Sequence, residues 1–430
     1  SSSSRISACG RKALKIRYAE ASVVAMAVAA AIGLAGWPEQ ASAETNEALR
    51  ERVLTMEEQL QELKKRLDGA ERKAEEAKKE ATSEDNRAIK WHFTGYGTAD
   101  FTYNDASNAS SSFAGGKFVP IFLVSYKDLM LFEGELETSV NTDGTTEVAL
   151  EFANLNLFAT DWLTITAGKF LSPIGAFQQY LHPSWINKLP DRPAGFADEA
   201  GAAPLTEVGV MARGAFPIQE MTVDYAFYVG NGPRLATEAG EGVLLEGYGG
   251  DDNDDKAFGG RIALHPLPSV TVGLSGMRAK VKGNPGTGGA VSEGDYDLQA
   301  VDIAFKKGNF DIRGEFIRAH LGKLTTALDA ADAPAPISDA TWYAWYAQAA
   351  YRLAGVTDHR ILRNFEPAIR YSQFTVSGPD EFKEKEEKRW TVGLGYWFAP
   401  SIVAKAAYEM RNFSKKEDED VVRLQVGFGF

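Results

Sequence analysis

Cysteine is all but missing. The 430 residues contain one, Cys9, so no disulfide framework, CxxC metal site or CxxCH haem attachment can be built. Histidine is nearly as scarce: His92, His182, His265, His320 and His359 are scattered without ligand spacing, which leaves a metal centre without donors. No Ser, His and Asp set falls in a recognisable context, and no glycine loop is built to cradle phosphate. Enzymatic chemistry, cofactors and metals are therefore not expected. A basic surplus is missing too, since 46 Lys and Arg face 59 Asp and Glu for a net charge of -13; this argues against nucleic acid as a partner. Beyond residue 43 no apolar run reaches the roughly 18 residues of a membrane helix. At 44% hydrophobic and 11% aromatic, the chain is nonetheless far from a disordered composition.

What is present changes character three times. Arg11, Lys12, Lys15 and Arg17 precede an apolar run from Ala21 to Gly36, and Ala41-Ser42-Ala43 supplies small residues at a cleavage site. Residues 1–43 thus read as a secretory signal peptide, with Glu44 the first mature residue. The alternative, a membrane helix, needs about 20 apolar residues and the run is shorter. Removing the segment takes five basic and two acidic side chains with it and deepens the charge from -13 to -16.

Residues 44–90 are polar except along one stripe. Leu49, Val53, Met56, Leu60, Leu63 and Leu67, then Ala70, Ala74, Ala77 and Ala81, recur at steps of four and three. That is a heptad seam, and so narrow a stripe predicts a coiled coil between like chains. A single charged helix or linker is the alternative, because the alanine half of the seam buries little area.

From Trp91 the period becomes two. Met130, Phe132, Leu136 and Val140 share one parity, and Glu133, Glu135 and Glu137 hold the other. Trp390, Val392, Leu394, Tyr396 and Phe398 repeat the pattern, and after Ala399-Pro400-Ser401 so do Ile402, Ala404, Ala406, Tyr408 and Met410. Six tight turns and one somewhat longer link, Ala354 to Leu362, alternate with eight long polar loops, the latter at Asn104 to Gly116, Asn141 to Thr146, Leu171 to Leu205, Asn231 to Asp255, Lys280 to Asp295, His320 to Asp339, Ser377 to Glu387 and Ser414 to Glu419. Sixteen strands follow. A sheet facing lipid must pair every backbone group, which only a closed barrel does, and short turns at one rim with long loops at the other mark an outer-membrane barrel. The fold class is therefore all-β: a 16-stranded antiparallel transmembrane β-barrel over 91–430, preceded by an α-helical coiled coil. A secreted β-solenoid or propeller is the competing reading, but no repeat of fixed period is found. Strand Glu147 to Ala159 shifts parity around Phe152 to Leu155, as a bulge does. The last strand ends on Phe428 and Phe430, a pattern that looks like the signal read by the barrel assembly machinery.

Several short stretches resemble the phosphate-selective porin O and P family: Ala167-Gly168-Lys169-Phe170-Leu171-Ser172-Pro173-Ile174-Gly175, Tyr228-Val229-Gly230-Asn231-Gly232, Gly314-Glu315-Phe316-Ile317-Arg318, and Tyr343 to Leu353 followed by Glu366-Pro367-Ala368-Ile369-Arg370-Tyr371. The resemblance covers Trp91 to Phe430 and implies a sixteen-stranded, usually trimeric channel for small anions in a Gram-negative outer membrane, with the coiled coil in the periplasm. One departure is plain. Phosphate-selective members carry lumenal rows of arginine and lysine, whereas the inward parity here offers Glu133, Glu135, Glu137, Glu147 and Glu151.

The candidate lumen thus consists of those glutamates with Arg313, Arg370, Arg411 and Arg423, which share inward parity and can form ion pairs across it. The 35-residue stretch Leu171 to Leu205 is too long and too aromatic for an idle connection. Its His182, Lys188, Asp191 and Arg192 are candidates for a constriction, the alternative being a loop packed on the outer rim or at a trimer contact. Acidic Tyr248 to Asp255 could hold calcium, although such loops are usually solvated. The expected partners are like copies of the chain, outer-membrane lipid, the assembly machinery and small hydrophilic solutes. The expected function is passive diffusion with modest cation preference, since glutamates about 7 Å apart on one strand form an acidic row. A selective anion channel and a structural envelope tether are the alternatives.

Overall fold

The computed structural model describes residues 88–106, 111–141, 143–196, 201–237 and 241–430. The signal peptide and the coiled-coil seam lie outside the described residues. Sixteen strands close on themselves: β1 (Ile89–Asn104), β2 (Ser112–Tyr126), β3 (Met130–Val140), β4 (Thr146–Thr160), β5 (Leu163–Leu171), β6 (Thr206–Ile218), β7 (Met221–Gly230), β8 (Ala257–Leu267), β9 (Val270–Lys282), β10 (Glu293–Lys307), β11 (Phe310–Leu321), β12 (Ala340–Tyr351), β13 (Phe365–Ser377), β14 (Glu387–Ala399), β15 (Ile402–Phe413) and β16 (Glu419–Gly429). Each pairs antiparallel with its sequence neighbours, and β1 closes on β16 from Tyr96↔Gly429 to Asn104↔Val421.

The period-two pattern sets which face meets lipid. Phe132, Leu155, Leu274, Val301, Val392 and Leu394 stand exposed on the outside, whereas Glu135, Asp302, Arg370 and Thr391 are buried inside. The parity change in β4 comes from one extra residue: Glu135 pairs with Phe152 but Leu136 with Leu150, so Glu151 is bulged out of register. Lys169 donates to the Leu150 carbonyl at 2.8 Å beside this break.

Two loop boundaries differ from the sequence expectation. Strand β2 begins at Ser112 rather than beyond Gly116, because a register shift between Thr98 and Asp100 breaks the alternation there, with Gly116 at φ 57°. Strands β9 and β10 run to Lys282 and from Glu293, since charged Lys280 and Glu293, 3.5 Å apart, extend the ladder beyond the apolar belt. Charged strand ends read as loop.

The seam between first and last strands is clasped by aromatic rings. Gly95 and Phe430 exchange backbone hydrogen bonds at 3.1 and 3.0 Å. The Phe430 ring lies between Phe93 and Phe118, at centroid distances of 5.6 and 6.0 Å. A Cβ on Gly95 would stand 2.8 Å from that ring and 2.3 Å from the Val119 carbonyl, and one on Gly97 2.8 Å from Phe428. Only glycine fits beneath these rings.

Candidate functional site

The connection between β5 and β6, numbered 172–205, does not stay at the rim. Ser172 donates to the Leu205 carbonyl at 2.8 Å, drawing its ends together, and the segment folds into the lumen. Its first half is held by one buried carboxylate: Glu315 on β11 accepts the amides of Ala176 and Phe177 at 3.1 and 2.8 Å, at the start of the single-turn helix α1 (Phe177–Leu181). Gly175 (φ 73°) makes this approach possible, for a Cβ there would meet the Glu315 carboxylate. Phe177, Phe196 and Tyr346 then meet edge to face at 5.3–5.7 Å, an apolar core inside the barrel.

The second half is held by charge. The Asp191 carboxylate accepts from Arg370 and, at 3.0 Å, from Arg389, while Arg370 also reaches the Asp191 carbonyl at 3.2 Å. Burial opposes ionisation of Asp191, which lies in the loop, but Arg370 and Arg389 hold its carboxyl below the usual range. Lys188 bonds Glu366 at 2.8 Å and lies 3.9 Å from Asp311. Leu189 is wholly buried among Ala350, Ala368 and Ala407, and Trp185 covers Gly427 and Gly429, either of which would bring a Cβ within 2.9 Å of it. The neighbouring Arg192 borders two cavities, one lined by Lys117 and Glu137 and the other by Asp191 and Arg389.

The glutamate row is not bare. Glu133 accepts from Asn156 at 3.1 Å and lies 4.0 Å from Arg213. Glu135 is buried against the Tyr96 hydroxyl at 3.4 Å, with His182 Nε2 3.8 Å away, and Glu137 is paired with Lys117. His182 Nδ1 donates to the Gln178 carbonyl at 2.6 Å, which fixes the ring. Glu151 sits at the bulge, and Glu147 is exposed on β4. The four arginines are also paired: Arg313 with Asp311, Arg370 with Asp191, Arg411 with Glu387 and Glu419, and Arg423 with Glu409. Arg389, bonded to Glu387 at 2.6 Å as well as to Asp191, escaped the sequence reading together with Lys117 and Glu387. Inward parity was the signal available for all three. In the acidic loop the carboxylates have cationic neighbours: Asp251 has Lys256, Asp252 has Arg234 and Asp255 has Lys280.

Two polar cavities remain beside the loop. One of about 290 Å³ lies between loop residues His182, Asn187 and Arg192 and the wall residues Thr98, Asp100, Lys117, Glu137, Arg423 and Gln425. The other, about 580 Å³, has six basic residues (Arg192, Lys385, Arg389, Arg411, Lys416, Arg423) and three acidic ones (Asp191, Glu384, Glu387). Arg192 and Arg423 line both.

Known proteins share this architecture. A protein of Aquifex aeolicus described as uncharacterized is 24% identical over 372 residues, covering 78% of this chain and 79% of its own length. Among solved structures, the trimer form of the outer membrane protein OmpT of Vibrio cholerae (12% identity, TM-score 0.51) and an anion-selective porin from Comamonas acidovorans (10% identity, TM-score 0.52) each align over 80% of this chain and all of theirs. Residues 249–430 match the family described as phosphate-selective porin O and P. Over the stretch holding β8–β16 the chain is thus similar to the phosphate-selective porin O and P family, and over the whole barrel it has the fold of outer-membrane porins.

Proposed function

We propose that the protein is a passive diffusion channel, without enzymatic activity, in which small hydrophilic solutes and ions pass beside the inserted loop rather than down the barrel axis. The carrying observation is the succession of two polar cavities that share Arg192 and Arg423. In this reading His182, Lys188, Asp191 and Arg192 shape the constriction, the last by facing the lane and the others by anchoring the loop. Single-channel recording in planar bilayers tests it. Discrete conductance steps that grow when the loop is shortened support the channel, and a folded barrel that passes no current refutes it.

Charge preference follows from the side chains that line the lane. Of the glutamates that suggested cation preference, Glu137 and Glu133 have Lys117 and Arg213 beside them while Glu147 is exposed, and the larger cavity is lined by twice as many basic as acidic groups, of which Arg389, Arg411, Lys416 and Arg423 are ion-paired. The selectivity supported is thus modest anion preference at low ionic strength, screened as salt rises. Reversal potentials in a salt gradient give its sign.

The same reading places a cleaved signal peptide over 1–43 and a periplasmic coiled coil over 44–90 before the barrel. The assembly is a homo-oligomer, a trimer by analogy with the porins of this fold, in the outer membrane of a Gram-negative bacterium, inserted by machinery that reads the strand ending in Phe428 and Phe430.

A further inference from the structure

At the short-turn rim, which faces the periplasm in outer-membrane barrels, six of the seven connections have two or three residues. The seventh, between β12 and β13, runs from Arg352 to Asn364 and forms two short 3₁₀ turns, Leu353–Gly355 and Leu362–Asn364. Turn geometry does not demand such a length, and long loops in compact folds usually have a task.

Its charges differ from those of the lumen. The inward arginines of the strands described above all have carboxylates, yet Lys306, Lys307, Arg352, Arg360 and Arg363, on this turn and the adjacent one, have no ion pair among the described residues. Arg352 rests on the Trp397 ring at 5.1 Å, and Lys306 feels Asp311 only at longer range. Against them stand Asp358 on the arch and Asp311 and Glu366 in the adjoining cavity, so on a chain of net charge -13 this surface is net basic and suited to an acidic partner. Exposed apolar side chains accompany the cations: Val356 (70%), Ile361 (53%) and Leu362 (47%). Arg352 and Arg363 also line a cavity of about 630 Å³ at the mouth, with Lys188 at its inner end.

We propose that this arch is a docking surface for an acidic, partly apolar segment of a soluble periplasmic protein, held over the channel mouth. A small anion would need the cations but not the apolar tip. A membrane contact would need both to face lipid, whereas Arg352, Ala354, Arg363 and Asn364 of the arch line the mouth.

The experiment uses the detergent-purified full chain, so it reads binding whether or not the barrel conducts. A short fluorescent peptide of alternating glutamate and leucine is titrated by anisotropy. The expected result is saturable binding that weakens at least about tenfold in K307Q/R360Q/R363Q, whose residues are all exposed, and fades as ionic strength approaches about 0.5 M. Binding should weaken severalfold in I361S/L362S, and inorganic phosphate of equal ionic strength should not displace the peptide. Displacement by phosphate with I361S/L362S unaffected would identify a small-anion site and overturn the proposal. So would variants that lose adhesion to phosphatidylglycerol vesicles but keep the peptide. If the triple variant runs as an unfolded band, K307Q/R360Q replaces it, and unchanged binding in that folded variant counts against the proposal.

Discussion

Asp191 and Arg192 are adjacent in sequence and meet different charges. Asp191 bonds Arg370 and Arg389 on β13 and β14, and Arg192 faces the carboxylates of β3 and β4. The inserted loop is thus a strut, anchored by charge at Asp191.

Breaking the strut at its buried end should loosen the loop. Asp191→Asn strands Arg370, which has no exposed surface, and losing one partner of a buried pair costs about 3–5 kcal/mol. The expected outcome is noisier single-channel current and faster proteolysis of the loop, with the barrel still folded by circular dichroism. Quiet current in this variant would mean that Glu315 and the aromatic core suffice to hold the loop.

Acid should reach the strut late. Because the Asp191 carboxyl is held below its ordinary value, its contribution is fully present above the unfolded value of about 3.9 and is lost only as pH falls through the lower folded value. Current noise should therefore be unchanged between about pH 7 and 5 and rise only below about pH 3.9. An onset near pH 6 would show that a group other than Asp191 governs the loop.

Reversing the charge in the lane should reverse its preference. Arg192→Glu changes the energy of an ion about 7 Å away by about 1 kcal/mol even at water-like dielectric, enough to alter the permeability ratio severalfold toward cations. The triple change of Glu133, Glu135 and Glu137 to Gln should push the other way, since it frees Lys117. Reversal potentials of both variants check the pair of signs.

The seam and the oligomer can be tested on gels. Gly95→Val meets both the Val119 carbonyl and the Phe430 ring, so it should abolish the compact band of unheated samples, whereas Phe430→Ala should only lower its melting temperature. The mature protein should run as a heat-sensitive oligomer, and Leu60→Asp with Leu63→Asp should weaken association while leaving the barrel folded. Loss of the barrel itself in that variant would show that the two segments depend on one another.

The closed sixteen-stranded sheet was legible because period two and turn spacing are local. The bulge was legible for the same reason, since an extra residue at Glu151 reverses the alternation that follows. The site was legible only in part. Inward parity found Glu135 and Arg370, and loop length singled out His182 through Arg192, but parity says nothing about which inward charges meet. The pairing of Glu137 with Lys117 depends on the register of β2 against β3, and that of Asp191 with Arg389 198 residues later on where a non-periodic loop crosses the barrel. That is why a row of glutamates in sequence becomes a compensated wall in space.

The lane beside the loop has the closing seam as one wall: Asp100 belongs to β1, and Arg423 and Gln425 to β16, the strand made last. A barrel still open at that seam has no such lane, only a cleft lacking its arginine. Permeability is thus conferred by the same event that completes the fold, and the surrounding membrane gains a defined pore only when the final strand docks.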